Sequence, residues 1–212
     1  MKLLIIIGAG GAGKEASDIA NRIYLKNQQE WEFIGFADDF IKVNSFVNGY
    51  KVIGTLNDIL DRFDKNDILF HCAIGDNKIR LRIVELLIAK GYKLFTLIDP
   101  TSIVSKSCSI GIGSYIGPMS FIGPDVQIGK GCIINVGTSI HHDVFIGDYV
   151  QLCPGARMLG STHINDGSFL GTNSVILPGV RVGSWSTVGA SALVTKDIGH
   201  SVKVIGVPAK EF

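Results

Sequence analysis

The chain has no dominant charge, no long apolar run and few cysteines, and each of these absences excludes a class of protein. Its 212 residues carry 20 lysines and arginines against 19 aspartates and glutamates, so nothing favours nucleic acid or an anionic membrane surface as a partner. The longest apolar run near the start, residues 3–7, is too short for a signal-peptide core or a membrane span. We therefore expect a cytoplasmic protein.

The cysteines and the length give two further limits. Cys72, Cys108, Cys132 and Cys153 form no CxxC pair and have no metal-ligand spacing, so free buried thiols are the simplest interpretation and no metal site is predicted. With 46% hydrophobic residues the chain can bury a sizeable core, and its length suits two small domains.

What the sequence does have is an aliphatic residue at every sixth position from Ile98 to Val194, and we call these the rung residues. Neither a helix nor a long strand produces a strict period of six, whereas short parallel strands joined by tight turns do. Three hexads would form one coil of a triangular prism, with the rung residues stacked inward. The rung residues are Ile98, Val104, Ile110, Ile116, Ile122, Ile128, Ile134, Ile140, Ile146, Leu152, Met158, Ile164, Leu170, Ile176, Val182, Val188 and Val194.

Two other positions of the hexad support a coiled prism. The fourth residue after a rung is Ser, Thr, Ala, Cys or Val throughout residues 114–192, which suits a second inward position at a tight corner. Glycine often follows the rung directly, as at Gly117 and Gly147, which predicts turns with unusual backbone angles there.

Individual repeats carry a resemblance to a known superfamily. Ile122-Gly-Pro-Asp-Val-Gln and Ile128-Gly-Lys-Gly-Cys-Ile resemble the repeats of the hexapeptide-repeat acyltransferases. The resemblance implies a left-handed parallel β-helix that assembles as a trimer. The handedness comes from the resemblance alone, because a period of six does not fix it and ordinary parallel crossovers are right-handed.

Residues 1–97 follow a different pattern. Lys2–Ile7 is predicted as a buried strand, and the glycine-rich residues 8–15 lead into an amphipathic helix that ends near Lys26. Segments 32–36, 68–73, 79–90 and 93–97 continue an alternation of strands with a helix. This order predicts a small parallel α/β domain.

The glycine turn and an acidic pair predict a nucleotide site in this domain. Gly8, Gly10 and Gly13 have GxGxxG spacing, and Asp38-Asp39 follow about 25 residues later. Glycines let the backbone approach a phosphate, a helix N-terminus offers unpaired N–H groups, and aspartates accept hydrogen bonds from a ribose or a base. The candidate substrate-binding residues are Gly10, Gly11, Gly13, Asp38 and Asp39.

Two alternatives to a nucleotide-sugar site stay open for these residues. The glycines could serve only to pack the strand against the helix, with the aspartates solvated. An NAD-dependent dehydrogenase would also use this motif, but it needs a catalytic domain beside the nicotinamide, which the repeats do not provide.

The two domains and the C-terminal segment Gly206-Val-Pro-Ala-Lys together resemble the bacterial family of nucleotide-4-amino-sugar N-acetyltransferases and sialic acid O-acetyltransferases. The resemblance implies a Rossmann-like nucleotide-sugar-binding domain at residues 1–97, a β-helix acyltransferase domain at 98–199 and a tail at 200–212. It implies acetyl transfer from acetyl-CoA to the 4-amino group of a nucleotide-linked amino-dideoxy sugar, for surface polysaccharide biosynthesis. A sialic acid hydroxyl is the alternative acceptor.

Acetyl transfer needs a base for the nucleophile's proton and donors for the oxyanion. In the repeats, two imidazoles and a carboxylate occur together at His141-His142-Asp143. Counted back from Ile146, the resemblance implies that His142 is the catalytic base and Asp143 the acid that orients it, as triad logic requires. The alternative is a pair of exposed corner histidines without a function. Neighbouring side chains on extended backbone point in opposite directions, so we expect His141 and His142 to have different roles.

The resemblance also implies the remaining contacts. The Gly160 amide would face the acetyl carbonyl, and Thr172 and Ala190 would line the pantetheine arm of acetyl-CoA. Gln151 stands where the family often has a second histidine, and its amide can hold a water or the acetyl carbonyl without titrating. Asn135 matches a position that faces the sugar, and Ala12 replaces a histidine near the substrate's phosphates. The active sites would lie between the subunits of a homotrimer.

Two further functions are possible for such repeats. Zinc hydratases similar to γ-carbonic anhydrase also form β-helix trimers, but they need three converging histidines, and the spacing of His141, His142 and His163 does not match. A non-enzymatic scaffold with a nucleotide-sensing domain would leave the His-His-Asp cluster without a role. Metal analysis and a thioester-consumption assay separate these functions from acetyl transfer.

Overall fold

The computed structural model describes residues 1–26 and 31–212, which form two compact units, Met1–Pro100 and Thr101–Phe212. The predicted α/β domain followed by a parallel β-helix is confirmed. The left-handed sense and the trimer stay predictions.

The first unit is a six-stranded sheet in the order β3-β4-β2-β1-β5-β6 with three helices. The central β1 is parallel to β2 and β5, whereas β3 and β4 are antiparallel to each other. The sheet is therefore mixed, and the prediction of a purely parallel domain is wrong, because the β3–β4 hairpin was not predicted. The elements are β1 (Lys2–Ile7), α1 (Gly11–Lys26), β2 (Trp31–Ala37), β3 (Phe46–Val47), β4 (Tyr50–Gly54), α2 (Leu56–Arg62), β5 (Ile68–Cys72), α3 (Asn77–Ala89) and β6 (Lys93–Leu94). A seventh strand, β7 (Leu97–Ile98), follows and is not part of this sheet.

The core of this unit lies between the sheet and the apolar faces of its helices. Ile5 and Phe70 on the strands are fully buried and pack in one cluster with Ile59 of α2 and Leu87 of α3. Burial of each such side chain contributes about 1.5–3 kcal/mol. Because β1 is buried along its whole second half, the turn that follows it is held in a fixed place at the carboxyl end of the sheet.

Two elements of the first unit were not predicted. The β3–β4 hairpin turns at Asn48-Gly49, where both residues have positive φ angles, 48° and 82°, as a type I′ turn requires. Helix α2 begins with a capping box in which Thr55 and Asp58 satisfy each other's backbone N–H groups.

The second unit is a triangular stack of two-residue strands, and strands one coil apart pair in parallel with an offset of eighteen residues, as in Phe121↔Ser139. The first face contains β8 (Ile103–Val104), β11 (Phe121–Ile122), β14 (Ser139–Ile140), β17 (Arg157–Met158), β20 (Val175–Ile176) and β23 (Leu193–Val194). The second contains β9 (Ser109–Ile110), β12 (Gln127–Ile128), β15 (Phe145–Ile146), β18 (His163–Ile164) and β21 (Arg181–Val182). The third contains β10 (Tyr115–Ile116), β13 (Ile133–Ile134), β16 (Gln151–Leu152), β19 (Phe169–Leu170), β22 (Thr187–Val188), β24 (Lys203–Ile205) and β25 (Lys210–Glu211).

The rung residues form the core of this stack, as predicted. From Ile116 to Val194 none is more than 4% exposed, whereas Ile98, Val104 and Ile110 at the start are partly exposed. The small residues four positions after each rung from Ile110 onward are buried as well. The hexad pattern therefore predicted both inward positions.

The predicted site of the unusual backbone angles is wrong. The left-handed residue lies three positions after the rung, with φ between 54° at Met119 and 73° at Gly179, and Asp143 has a φ of 59°. Glycine directly after the rung has another cause, the close approach of the next coil. A Cβ on Gly117 would lie 2.8 Å from the Val136 nitrogen.

Candidate active site

The three corners of the β-helix differ in the residues they present. The first corner, between the first and second faces, contains His142 and Gly160 one coil apart. The second corner, between the second and third faces, contains Lys130 and Asp148, and the third corner contains Thr172 and Ala190. The catalytic residues predicted from the sequence lie at the first corner.

His142 and Asp143 form an exposed pair at the first corner. The Nδ1 of His142 lies 2.7 Å from Oδ2 of Asp143, and their side chains are 64% and 59% exposed. The left-handed backbone at Asp143, anchored by its N–H bond to the Pro124 carbonyl at 3.1 Å, turns the carboxylate toward the preceding ring. With Nδ1–H donating to the carboxylate, Nε2 keeps a lone pair that can accept a proton.

Gly160 lies directly against the imidazole of His142. A Cβ built on Gly160 would be 2.6 Å from Nε2 and 3.2 Å from Nδ1 of that ring. The backbone holds the two residues in register, because Ser161 N–H donates to the His142 carbonyl at 3.0 Å. Only glycine leaves room for the ring at this distance, so the structure brings together the predicted base, its orienting acid and the predicted amide donor.

Where the residue two positions after a rung is not proline, as at Lys130, His142 and Gly160, its N–H makes no backbone hydrogen bond in the stack. At the second corner, side chains of the next coil accept three of these N–H groups. Lys130 N–H donates to Asp148 at 2.9 Å, Asp148 N–H to Asp166 at 2.8 Å, and Ser184 N–H to Nδ1 of His200 at 3.0 Å. These three N–H groups of the second corner are therefore not available to a ligand.

The first and third corners keep open donors. Among the described residues, the N–H groups of Gly160, Thr172 and Ala190 donate to no acceptor, and the same is true of Val136 and His142 at these two corners. At the second corner, Ile112 and Asp166 are in the same state. Thr172 and Ala190 lie in successive coils, linked by the Ser191 N–H bond to the Thr172 carbonyl at 2.8 Å. Gly160, predicted to contact acetyl-CoA through its amide, thus has an open N–H group, and so do Thr172 and Ala190, which were predicted to line the pantetheine arm.

Within one chain, Gln151 and Asn135 lie on a different side of the β-helix from His142. Gln151 begins β16 on the third face, and its buried Oε1 has no hydrogen-bond partner among the described residues. Asn135 lies at the third corner and donates from Nδ2 to the Leu152 carbonyl at 3.0 Å. Asn165 makes the equivalent bond to the Val182 carbonyl at 2.8 Å, so this contact of Asn135 recurs in the repeat.

The other histidines near the first corner have different surroundings. His141 is partly buried, with its ring 6.0 Å from that of Phe121, and His163 has its ring 6.0 Å from that of Phe145. The sequence did not predict these aromatic partners, because the hexad pattern does not say which outward residues of neighbouring coils touch. The contrast with exposed His142 supports the expectation that the two adjacent histidines have different roles.

The glycine turn of the first unit is open on one side and packed on the other. A Cβ on Gly10 or Gly11 would meet no atom within 4 Å, whereas one on Gly13 would lie 3.0 Å from the Gly8 carbonyl carbon. Packing therefore requires Gly13 but not Gly10 or Gly11. Space remains in front of the first residues of α1, where a helix offers its unpaired N–H groups.

Asp38 and Asp39 border a cavity of about 240 Å³ at the carboxyl ends of β1, β2 and β5, together with Gly8, Phe40 and Ile74. Asp38 Oδ2 accepts the Ala9 N–H at 2.8 Å, and Oδ1 accepts those of Phe40 and Ile41 at 2.9 Å each. Burial would raise the pKa of Asp38, but these three bonds outweigh burial and hold the pKa below its usual value. The sequence analysis did not predict that the Asp38 carboxylate accepts hydrogen bonds from backbone N–H groups of its own chain.

Within residues 1–26 and 31–212, no three His, Cys, Asp or Glu side chains lie close enough to hold a metal ion. No helix in the same ranges has the length and apolar character that crossing a membrane requires.

A stack of six-residue repeats that carries a His–Asp pair and open backbone amides defines the class of hexapeptide-repeat acyltransferases. Comparison with known families agrees, since residues 161–196 match the bacterial transferase hexapeptide model and residues 3–87 match the PglD N-terminal domain. The chain belongs to the family of PglD-type hexapeptide-repeat N-acetyltransferases, so the predicted family is confirmed.

Individual relatives support this family. The acetyltransferase domain of PglB from Neisseria gonorrhoeae is 33% identical over the whole of both chains, with a TM-score of 0.93. PerB from Caulobacter crescentus, solved with CoA and GDP-perosamine, is 29% identical over 100% of this chain and 98% of that one, with a TM-score of 0.90.

A curated relative matches part of the chain. GDP-perosamine N-acetyltransferase from Escherichia coli O157:H7 is 32% identical over 60% of this chain and 56% of its own length. The chain spans about half the length of the curated relatives it matches.

Proposed function

We propose that this protein transfers an acetyl group from acetyl-CoA to the 4-amino group of a nucleotide-linked amino-dideoxy sugar. The observation that carries the proposal is the 2.7 Å His142–Asp143 pair, which lies against Gly160 with its open amide. A general base beside an unused backbone donor is what attack of an amine on a thioester requires.

His142 acts as the general base in this proposal. Its Nε2 takes a proton from the attacking amine as the nitrogen bonds to the thioester carbonyl carbon, and the carbon–sulfur bond then breaks. The same proton passes from His142 to the leaving sulfur, which releases CoA and the N-acetyl sugar. Asp143 holds Nδ1–H at 2.7 Å, which fixes the tautomer and stabilises the imidazolium.

Acetyl-CoA fits the amides that the repeat leaves open. The Gly160 N–H donates to the carbonyl oxygen on which negative charge develops, and the Thr172 and Ala190 amides bind the pantetheine arm. Support comes from their lack of any acceptor among the described residues and from PerB, whose structure contains CoA. Gln151 contributes a side-chain amide from the third face, and Asn135 faces the sugar.

The nucleotide sugar binds at the first unit. Gly10 and Gly11 leave open space at the start of α1, where the N–H groups receive the diphosphate, and Asp38 and Asp39 border the adjoining cavity. Ala12 contributes no imidazole at the turn, so the backbone amides supply the contact. The 4-amino acceptor is supported by relatives named for GDP-perosamine and UDP-N-acetylbacillosamine N-acetylation.

A homotrimer with active sites between subunits is part of the proposal. Exposed apolar side chains on both faces beside the first corner support it, Phe121 at 38% and Phe145 at 39% exposure, since such a patch is typical of an interface. The cytoplasmic location stays a prediction.

Purified protein should release thiol from acetyl-CoA when given a nucleotide-linked 4-amino sugar. We expect His142→Ala to keep acetyl-CoA binding and lose about 10²–10⁴-fold in kcat, while the neighbouring His141→Ala, matched in size and chemistry, stays within tenfold of wild type. Near wild-type turnover in His142→Ala would contradict the proposed mechanism. Activity with sialic acid and none with amino sugars would replace the acceptor by a hydroxyl.

A further inference from the structure

The two adjacent aspartates at the end of β2 differ in how many of their carboxylate acceptor sites are occupied by the protein's own N–H groups. A carboxylate has about four acceptor sites, and Asp38 uses three of them on the N–H groups of Ala9, Phe40 and Ile41. The bond from Ala9 crosses from the glycine turn after β1 to the loop after β2. Asp38 therefore ties two loops together within the first unit.

The hydrogen bond between Ala9 and Asp38 is buried at the Ala9 side. Ala9 is 1% exposed, so its N–H has no water to replace the carboxylate if Asp38 is lost. The preceding residue, Gly8, has a φ of 92° and donates its own N–H to the Ala37 carbonyl at 2.8 Å. Consecutive N–H groups of the glycine turn are thus held against β2, which fixes the path of the backbone into Gly10 and Gly11.

Asp39 is different. Its Oδ1 accepts the N–H of Leu56, the first residue of α2, at 3.1 Å, and among the described residues its Oδ2 has no partner. Asp39 is exposed and borders the 240 Å³ cavity beside Phe40, whose side chain is 98% exposed. One oxygen thus anchors the side chain while the other can accept a hydrogen bond from a ligand.

We propose that Asp38 is a positioning residue that sets the shape of the glycine turn, and that Asp39 is the aspartate that contacts the nucleoside through a hydroxyl or base N–H. The inference rests on the proposed function, since it assigns roles within the nucleotide-sugar site. Asp38 acts through the Ala9 amide and does not touch the substrate.

Asp38→Asn and Asp39→Asn are matched variants, because each replaces one carboxylate oxygen by an NH₂ of nearly equal size. At Asp38 the single amide oxygen keeps two bonds, from Phe40 and Ile41, when it takes the place of Oδ1, but only one when it takes the place of Oδ2. The NH₂ is therefore expected to face the Ala9 N–H, which it cannot accept. At Asp39 the amide oxygen can still accept from Leu56. The amide of Ala9, measured by hydrogen exchange without ligand, reports on the turn, and titration calorimetry with UDP, dTDP and GDP reports on binding.

In Asp38→Asn we expect Ala9 exchange to accelerate at least tenfold and the Kd for the bound nucleoside diphosphate to rise about tenfold to a hundredfold, the effect of losing a charge-assisted hydrogen bond. In Asp39→Asn we expect a similar rise in Kd with Ala9 exchange within twofold of wild type. The KM for acetyl-CoA should be unchanged in both variants.

Three results would overturn the inference. They are wild-type Ala9 exchange in Asp38→Asn, wild-type nucleotide affinity in either variant, and rapid Ala9 exchange in Asp39→Asn. A wild-type protein that binds none of the three diphosphates would instead refute the nucleotide-sugar part of the proposed function, and the division of roles with it.

Discussion

Replacing Gly160 by alanine tests whether the position of the His142 ring determines the rate. The new Cβ would lie 2.6 Å from Nε2 and 3.2 Å from Nδ1, where ordinary contacts between such atoms are about 3.5–4 Å. The ring must therefore move by about 1 Å or rotate away. Because the His142 side chain is 64% exposed, it can do so without disturbing the core.

The expected loss of kcat is about a hundredfold, the effect of a misplacement of about 1 Å in a reacting group, or about 2.7 kcal/mol of activation free energy. The backbone N–H of residue 160 persists, so acetyl-CoA affinity should change little. The φ of Gly160 lies outside the left-handed region, and the free energy of unfolding should stay within about 1 kcal/mol of wild type.

The assay is steady-state thiol release with calorimetric titration of CoA and urea unfolding. Gly199→Ala is the matched control, since its Cβ would meet only Val202 at 3.9 Å. The double variant gives the decisive comparison: in a His142→Ala background, Gly160→Ala should cause no further loss of kcat. A wild-type rate in Gly160→Ala, or independent losses in the double variant, would refute the reasoning.

Two other predictions follow from single residues. Asp143→Asn keeps the backbone conformation, because asparagine tolerates the φ of 59°, but it removes the charge that orients His142. The kcat measured at pH 7 should therefore fall about tenfold or more, with the stability unchanged. An unchanged kcat would contradict the orienting role of Asp143. Burial lowers the pKa of His71 to about 4. Between about pH 6.5 and pH 4 the unfolded chain therefore binds a proton at this residue that the folded chain does not. As the pH falls through this range, the protein loses about 3 kcal/mol of folding stability. Urea unfolding at pH 7 and 4.5 should show most of this loss in wild type and a smaller loss in His71→Asn, and equal losses in the two proteins would refute the prediction.

The repeat architecture was predictable because one physical requirement recurs in every hexad. Each rung from Ile116 to Val194 fills the same buried position, so the pattern predicts the whole column from its period. The family was predictable for the same reason, because several repeats carry it independently.

The close contacts between coils were not predictable in this way. Gly117 follows its rung because Val136 of the next coil leaves no room for a Cβ, whereas the pattern was interpreted as a demand for unusual angles. The residue with those angles can be Tyr149 or Trp185, side chains that give no local signal of a left-handed turn. The sequence contained one signal that was not used, Asn48-Gly49, which is typical of a hairpin turn.

The candidate site was predictable in its residues but not in their roles. His142 and Asp143 are adjacent in sequence, so their pairing needs no tertiary information, whereas the approach of Gly160 depends on the register between coils. Asp38 shows the limit of a motif, because a carboxylate expected to bind ligand accepts three N–H groups of its own chain. Only the fold determines which acceptors are already occupied.

The last strands of the β-helix affect whether neighbouring molecules can pair through their strand edges. β24 pairs with β22 at an offset of sixteen residues, Thr187↔Lys203, and β25 then folds back antiparallel onto β24. The hydrogen-bonding edge that another coil would use on the third face is thereby already taken. The edge strand on this side is instead the two-residue, antiparallel β25, and a short edge strand disfavours the edge-to-edge growth to which stacked strands are prone.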